Sequence, residues 1–215
     1  MLLKLYQADL SPYAARVRIL AAAKGLKMEF LPPAGGSLKS AEFLAINPLG
    51  RIPCLDHDGA IVPESETICE YLEDSFPSPT LRPVDPEARA RARLLSRMGD
   101  IYLAPLFQQL LVQVNPKTRN MAQVRSAFDD LEAVLGTMTN FIEGPDYAVG
   151  ERLSLADCAL APFFFFIDIF LARTFGLPSP LRGSMKLYYD NSQKDPHILK
   201  AIGEMNAALD AGLAR

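Results

Sequence analysis

Four prolines, Pro77, Pro79, Pro83 and Pro86, fall within ten positions, and the residue pattern differs on either side of them. Proline fixes φ and removes a backbone donor, so a cluster of this kind suits a linker rather than a core element. Upstream, short apolar runs alternate with helical spacing. Residues 2–6 form an apolar strand, and 12–24 carry Ala14, Val17, Leu20 and Ala21 on a helix that Gly25 is placed to end. Residues 28–31 read as a second strand and 39–46 as a short helix ending before Asn47-Pro48. Strands at 52–55 and 60–62 flank the turn signal Asp58-Gly59, and a third helix covers 65–75. The order β-α-β-α-β-β-α predicts a small mixed sheet covered by helices. Downstream there is no alternating pattern, and 89–111, 121–142, 154–174 and 196–213 all read as helices. The expected organisation is an α/β domain over 1–78, a linker at 79–86 and an all-α domain over 87–215.

Composition removes several classes of function. Lys+Arg 22 against Asp+Glu 25 gives a net charge of -3, without the basic excess of a dedicated nucleic-acid binder. Cys54, Cys69 and Cys158 form no CxxC pair, and with only His57 and His197 beside them no zinc framework or disulfide scaffold is expected. The most apolar run, 159–172, contains Pro162 and Asp168 and is shorter than the roughly 20 residues of a membrane span. The first ten residues show no signal-peptide pattern, so a cytoplasmic protein with reduced thiols and no membrane partner is expected.

Two strand-to-helix junctions carry the chemistry. Ser11-Pro12 pairs an N-cap serine with proline at N1. This is the ordinary way to start a helix, and it is also a place where a hydroxyl and free N–H groups face an anion. Glu64-Ser65 opens the third helix in the same manner, with Ser65 as its expected cap. Together they would set two helix N-termini on one sheet edge, where ligands of open α/β sheets bind. Pro53 stands at a strand start, an allowed position for proline. Ser154-Leu155-Ala156-Asp157 has the form of a capping box and reads as a folding signal for a buried helix.

Four stretches occur in order and at a recurring spacing. They are Leu5-Tyr6 to Ser11-Pro12-Tyr13-Ala14-Ala15-Arg16-Val17-Arg18, then Phe43-Leu44-Ala45-Ile46-Asn47-Pro48-Leu49-Gly50-Arg51-Ile52-Pro53-Cys54-Leu55, then Glu64-Ser65-Glu66-Thr67-Ile68-Cys69-Glu70-Tyr71-Leu72, then Ser154 to Asp157. In this the chain resembles the cytosolic glutathione S-transferase superfamily of serine type. The resemblance implies a thioredoxin-like N-terminal domain that binds glutathione and a helical C-terminal domain that shapes the second substrate's site. By position, Ser11 matches the catalytic serine, and Tyr6 is the weaker alternative hydroxyl. Ile52 and Pro53 match the segment that pairs with the cysteinyl backbone, and Glu64 and Ser65 match the pair that holds the γ-glutamyl group. Lys39 and Arg51 resemble the cations that meet the glycyl carboxylate. Tyr13, Tyr102, Phe107 and Phe166 are candidate walls for an electrophile, and Asp100 is a candidate to reach glutathione across a homodimer interface.

The resemblance implies a detoxifying transferase that activates the glutathione thiolate for attack on an apolar, aromatic electrophile, without a metal. Ether cleavage or isomerisation of a catabolic intermediate is the enzymatic alternative, and a non-catalytic binding protein is the other. Position 11 is not the cysteine of omega-like members, and Pro12-Tyr13 replaces the serine-cysteine pair of zeta-class isomerases.

Overall fold

The computed structural model describes residues 2–213. They divide into two compact units, one formed by the residues up to 81 together with those from 196 onward, the other by 82–195.

In the first unit, β1 (Leu3–Tyr6) alternates inward and outward, and Leu3 and Leu5 are fully buried. It lies at the centre of a sheet ordered β2-β1-β3-β4, with β2 (Met28–Leu31) parallel and β3 (Cys54–His57) antiparallel to it. The hairpin between β3 and β4 (Ala60–Pro63) turns at Asp58 (φ 51) and Gly59 (φ 93). Both left-handed residues are what the Asp-Gly signal calls for. Helix α1 (Pro12–Ala23) stops at Lys24, and Gly25 follows at φ 66 as a left-handed terminator. Helix α2 (Ala41–Ile46) starts after Ser40, whose hydroxyl accepts from the Phe43 amide at 3.1 Å.

Helix α1 is buried almost all round, from Ala14 to Ala21, because it packs against two neighbours. One is α3 (Ser65–Ser75); the other is α10 (Pro196–Leu213), the last helix of the chain. Helix α10 buries Ile198, Ala201, Ile202, Met205 and Leu209, an i, i+3, i+4, i+7 stripe. Helical periodicity assigned it to the domain over 87–215, yet it groups with the sheet unit. The unit boundary after residue 81 falls inside the expected linker, whose first residues are tied down: Thr80 Oγ1 donates to Glu73 at 2.6 Å and the Leu81 amide at 3.1 Å.

The second unit is all-helical. Helix α4 (Pro86–Met98) opens on Asp85, whose carboxylate accepts from the Ala88 amide at 2.8 Å, so the last linker residue is already helical. It continues through a π turn, Gly99–Leu103, into α5 (Ala104–Leu111). Helix α6 (Met121–Met138) is capped by Asn120. Helix α7 (Leu155–Phe165) likewise continues through a π turn, Phe166–Phe170, into α8 (Leu171–Phe175). The helix expected over 154–174 is therefore present, and it extends beyond the apolar run 159–172. The continuous helix has 21 residues, with Pro162 inside it, and is long and apolar enough to cross a membrane by length and composition. Yet 83% of its most apolar window is buried within the protein. Helix α9 (Gly183–Ser192) was not expected; it begins without a capping side chain, which removes the usual start signal.

Candidate functional site

One end of the sheet collects most of the candidates. Tyr6 at the end of β1 is in register with Leu31 at the end of β2 and with Cys54 at the start of β3, and Cys54 is in register with Pro63 at the end of β4. The segments leaving there carry Ser11, Lys39, Ile52-Pro53 and Glu64-Ser65.

Ser11 is the N-cap of α1, and its Oγ accepts from the Ala14 amide at 3.3 Å. A hydroxyl has one hydrogen to donate and two lone pairs to accept with. The cap uses a lone pair, and among the described residues the Ser11 hydrogen is given to no protein acceptor. Helix capping and donation to a ligand are therefore compatible in this residue.

The second junction differs from expectation. The N-cap of α3 is Glu64, not Ser65, and no side chain caps this helix. Glu64 is exposed and sits at φ 69, ψ 120, a left-handed conformation that costs a non-glycine residue about 1–3 kcal/mol. Ser65 is buried in the first turn, where its Oγ accepts from Arg16 Nη1 at 3.2 Å. The same nitrogen lies 3.2 Å from Glu66 Oε2, and the Arg16 side chain is only 1% exposed. A guanidinium has no lone pair to give, so the Ser65 hydroxyl is held as an acceptor toward Arg16 and its hydrogen is left for a ligand. The uncapped first-turn amides of α3 and a buried cation together favour an anion there. Arg16 lies within the quoted sequence motif, but periodicity would place an arginine at the surface.

The 47–53 loop is braced by Asn47, which is almost fully buried. Its Nδ2 donates to the Arg51 carbonyl at 2.8 Å and its Oδ1 accepts from the Leu49 amide at 3.1 Å. Gly50 at φ 57 allows the chain to approach residues 38–39; a Cβ there would meet the Leu38 carbonyl oxygen at 2.8 Å and Lys39 Nζ at 3.1 Å. Lys39 is thus brought beside the Gly50-Arg51 turn, and both cations are exposed. The Ile52-Pro53 peptide bond is cis. Burial, reinforced by Asp56, pushes the neighbouring Cys54 thiol up to about 11, so it is protonated at neutral pH and is no nucleophile.

Tyr6 packs edge-on against Phe43, with ring centroids 5.8 Å apart. Tyr13 is half-buried, its ring 5.9 Å from the Arg16 guanidinium carbon. In the helical unit Tyr102 is 52% exposed on the first π turn, and Asp100 is half-buried on the same turn. Phe107 and Phe166 are buried and meet edge to face at 4.8 Å, so much of each ring is engaged by the other. Among the described residues no three His, Cys, Asp or Glu side chains are grouped as metal ligands.

A mixed four-stranded sheet with two helix N-termini at one end, joined to a separate helical unit, defines the thioredoxin-like two-domain class to which glutathione transferases belong. The comparisons agree. The family model for the glutathione S-transferase N-terminal domain matches residues 5–80, and that for the C-terminal domain matches 115–189. Maleylacetoacetate isomerase of Rattus norvegicus is 36% identical over 167 residues, covering 74% of this chain and 74% of that protein. Among solved structures, glutathione transferase Omega 3C of Trametes versicolor has a TM-score of 0.78 at 28% identity, covering 94% of this chain and 89% of that one. A glutathione S-transferase of Methylobacterium radiotolerans, solved with glutathione sulfonate, has a TM-score of 0.72 at 25% identity and covers 94% and 95%. The chain belongs to the glutathione S-transferase family, and it is an enzyme of that family.

Proposed function

We propose that the chain binds glutathione at the sheet end described above and activates its thiol for attack on an apolar, aromatic electrophile. The observation that carries this reading is the Ser11 hydroxyl, which caps α1 through a lone pair and keeps its hydrogen for a sulfur. Glutathione supplies the nucleophile, whose thiol has a reference pKa near 8.5. Ser11 donates a hydrogen bond to the thiolate, and the N-terminus of α1 adds a favourable dipole; both stabilise the charged form. Ser65 donates its free hydrogen to the γ-glutamyl carboxylate, with the first-turn amides of α3 around it, and exposed Glu64 meets the ammonium group. Ile52 offers backbone pairing to the cysteinyl residue, and Lys39 with Arg51 meets the glycyl carboxylate. Tyr13, half-buried and two residues after Ser11, is the candidate wall for the electrophile. We also propose a homodimer; light scattering at micromolar concentration should give twice the 23.6 kDa chain mass, and a monomer mass would overturn it.

Isomerisation of an unsaturated acid is the second reading, favoured by the likeness to a maleylacetoacetate isomerase. It uses the same thiolate, which adds to a double bond and leaves again. Turnover of an aromatic halide against turnover of a cis-unsaturated dicarboxylic acid separates the two.

The mechanism is tested at Ser11. Ser11→Ala should leave glutathione affinity nearly unchanged and raise the bound thiol's pKa by about one to two units, since a bond to a charged group contributes about 1.5–3 kcal/mol. The acid limb of the kcat/KM profile should move with it, and activity should recover at high pH. If Tyr6→Phe moves the limb and Ser11→Ala does not, Ser11 is a helix cap alone.

A further inference from the structure

The loop that carries Ser11 is held from behind by a buried arginine. Arg18, two turns further along α1, donates from Nη1 to Gln7 Oε1 at 2.8 Å and from Nη2 to the Asp9 carbonyl at 2.8 Å. Asp9 Oδ1 lies 3.4 Å from Nη1 and also accepts from Gln7 Nε2 at 2.8 Å. The Ser11 amide donates to the Ala8 carbonyl at 3.0 Å, which completes the turn between Tyr6 and Pro12. A planar guanidinium fork fixes the spacing of the groups it binds, so these bonds set the path of residues 7–11.

The last helix sets a charge beside that fork rather than a hydrogen bond: among the described residues Arg18 Nε is buried without a hydrogen-bond partner. Glu204 Oε2 of α10 lies 3.4 Å from Arg18 Nε, while the Arg18 side chain is 4% exposed. The charged groups around this arginine are Asp9, Glu204, and Lys200, whose Nζ is 4.0 Å from Glu204 Oε1; His197 lines the same cavity of about 200 Å³. Burial pulls the Arg18 guanidinium down, and Glu204 and Asp9 oppose that shift. Two carboxylates thus meet this buried cation at different nitrogens, Asp9 at Nη1 and Glu204 at Nε.

We propose that Arg18 is a positioning residue for Ser11, and that Glu204 on the C-terminal helix sets Arg18, so that the last helix of the chain tunes thiol activation without touching substrate. This rests on the reading of Ser11 as the thiolate's donor. It explains why α10 belongs with the sheet unit functionally as well as by packing. Glu204 is 37% exposed and faces an open cavity, so its amide variant should fold.

The test compares pH profiles of kcat/KM and glutathione affinity in the full chain carrying Glu204→Gln, Arg18→Lys, Lys200→Gln, Ser11→Ala and the Glu204→Gln/Ser11→Ala pair. Arg18→Lys replaces the fork by a point charge and should lower neutral-pH kcat/KM about tenfold, the scale of a slightly misplaced catalytic group. Glu204→Gln should lower it about threefold, which corresponds to roughly half a unit upward in the bound thiol's pKa. Glutathione affinity should be unchanged in both, Lys200→Gln should behave as wild type, and Glu204→Gln should add nothing once Ser11 is alanine. If Ser11→Ala moves the acid limb and Glu204→Gln changes only Tm, the Arg18–Glu204 pair is structural and the inference fails. If Ser11→Ala itself moves nothing, the reading of Ser11 fails first. Should Arg18→Lys not fold, the Glu204 and double variants still decide the question.

Discussion

Among the described residues each unit buries one acidic side chain, Glu73 in the last turn of α3 and Asp157 in the first turn of α7, and the two meet opposite kinds of partner. Glu73 of α3 faces a buried ammonium: Lys24 Nζ lies 2.7 Å from its Oε1, with Thr80 and the Leu81 amide completing the set. Burial acts to raise the Glu73 carboxyl, but Lys24, Thr80 and Leu81 outweigh it and hold it below the usual carboxylate value. Among the described residues Asp157 of α7 meets no cation. Its Oδ1 accepts from the Ala148 amide at 2.7 Å and the Tyr188 hydroxyl at 2.9 Å, and its Oδ2 from the Ser154 amide at 2.8 Å and hydroxyl at 2.9 Å. Fully buried, it is raised above the usual value, because desolvation exceeds what four neutral donors return. Saturating a carboxylate with hydrogen bonds and pairing it with a charge are not equivalent inside a protein.

The largest effect should come from breaking the charged arrangement. Glu73→Gln leaves the Lys24 ammonium buried opposite a neutral group and should destabilise the fold by about 3–5 kcal/mol in denaturant melts at pH 7. The depressed carboxyl contributes stability above its unfolded value near pH 4.3 and loses it as pH falls through the folded value. The penalty of Glu73→Gln should therefore shrink in acid. A penalty that stays constant between pH 7 and pH 3 would mean the charge is not what holds this corner.

Asp157→Asn should cost less, about 1–3 kcal/mol, because one oxygen can still accept from Ala148 and Tyr188 while the new amide opposes the Ser154 N–H. Its pH dependence should run the other way. A raised carboxyl contributes most below its unfolded value near pH 3.9 and loses that contribution as pH rises through the folded value. The penalty should be greatest in acid and fall toward neutrality; matching slopes for the two variants would dissolve the contrast between the units. Tyr188→Phe should be smallest, about 0.5–1.5 kcal/mol, since it removes one of four donors. A Tyr188→Phe loss as large as that of Asp157→Asn would show that the tyrosine, not the capping box, supports this carboxylate.

The contrast also marks how far the chain could be read from residues alone. Contacts closed within four residues were legible. Ser154 and Asp157 form the expected capping box, Ser11-Pro12 starts α1, and Asp58-Gly59 turns the hairpin. Local steric and hydrogen-bond chemistry decides these features, and sequence reports it directly. The order of the four motifs along the chain likewise carries the likeness to the family.

Where the partner lies far along the chain, only the folded structure decided. Ser65 was expected to cap α3, but an arginine 49 residues earlier claims its oxygen, and Glu64 takes the cap position in a strained conformation. Lys24 meets Glu73 across 49 residues of chain, and Arg18 lies 3.4 Å from Glu204 of the last helix. Helix α10 has the pattern of any amphipathic helix, and nothing in that pattern says which unit its apolar stripe covers. The π turns at Gly99–Leu103 and Phe166–Phe170 fall inside segments whose pattern reads as continuous helix. Periodicity reports that a face will be buried, because burial depends on the average polarity of that face. It does not report against what, because the specific partner depends on chain closure over tens to hundreds of residues, and that is settled only when the units pack.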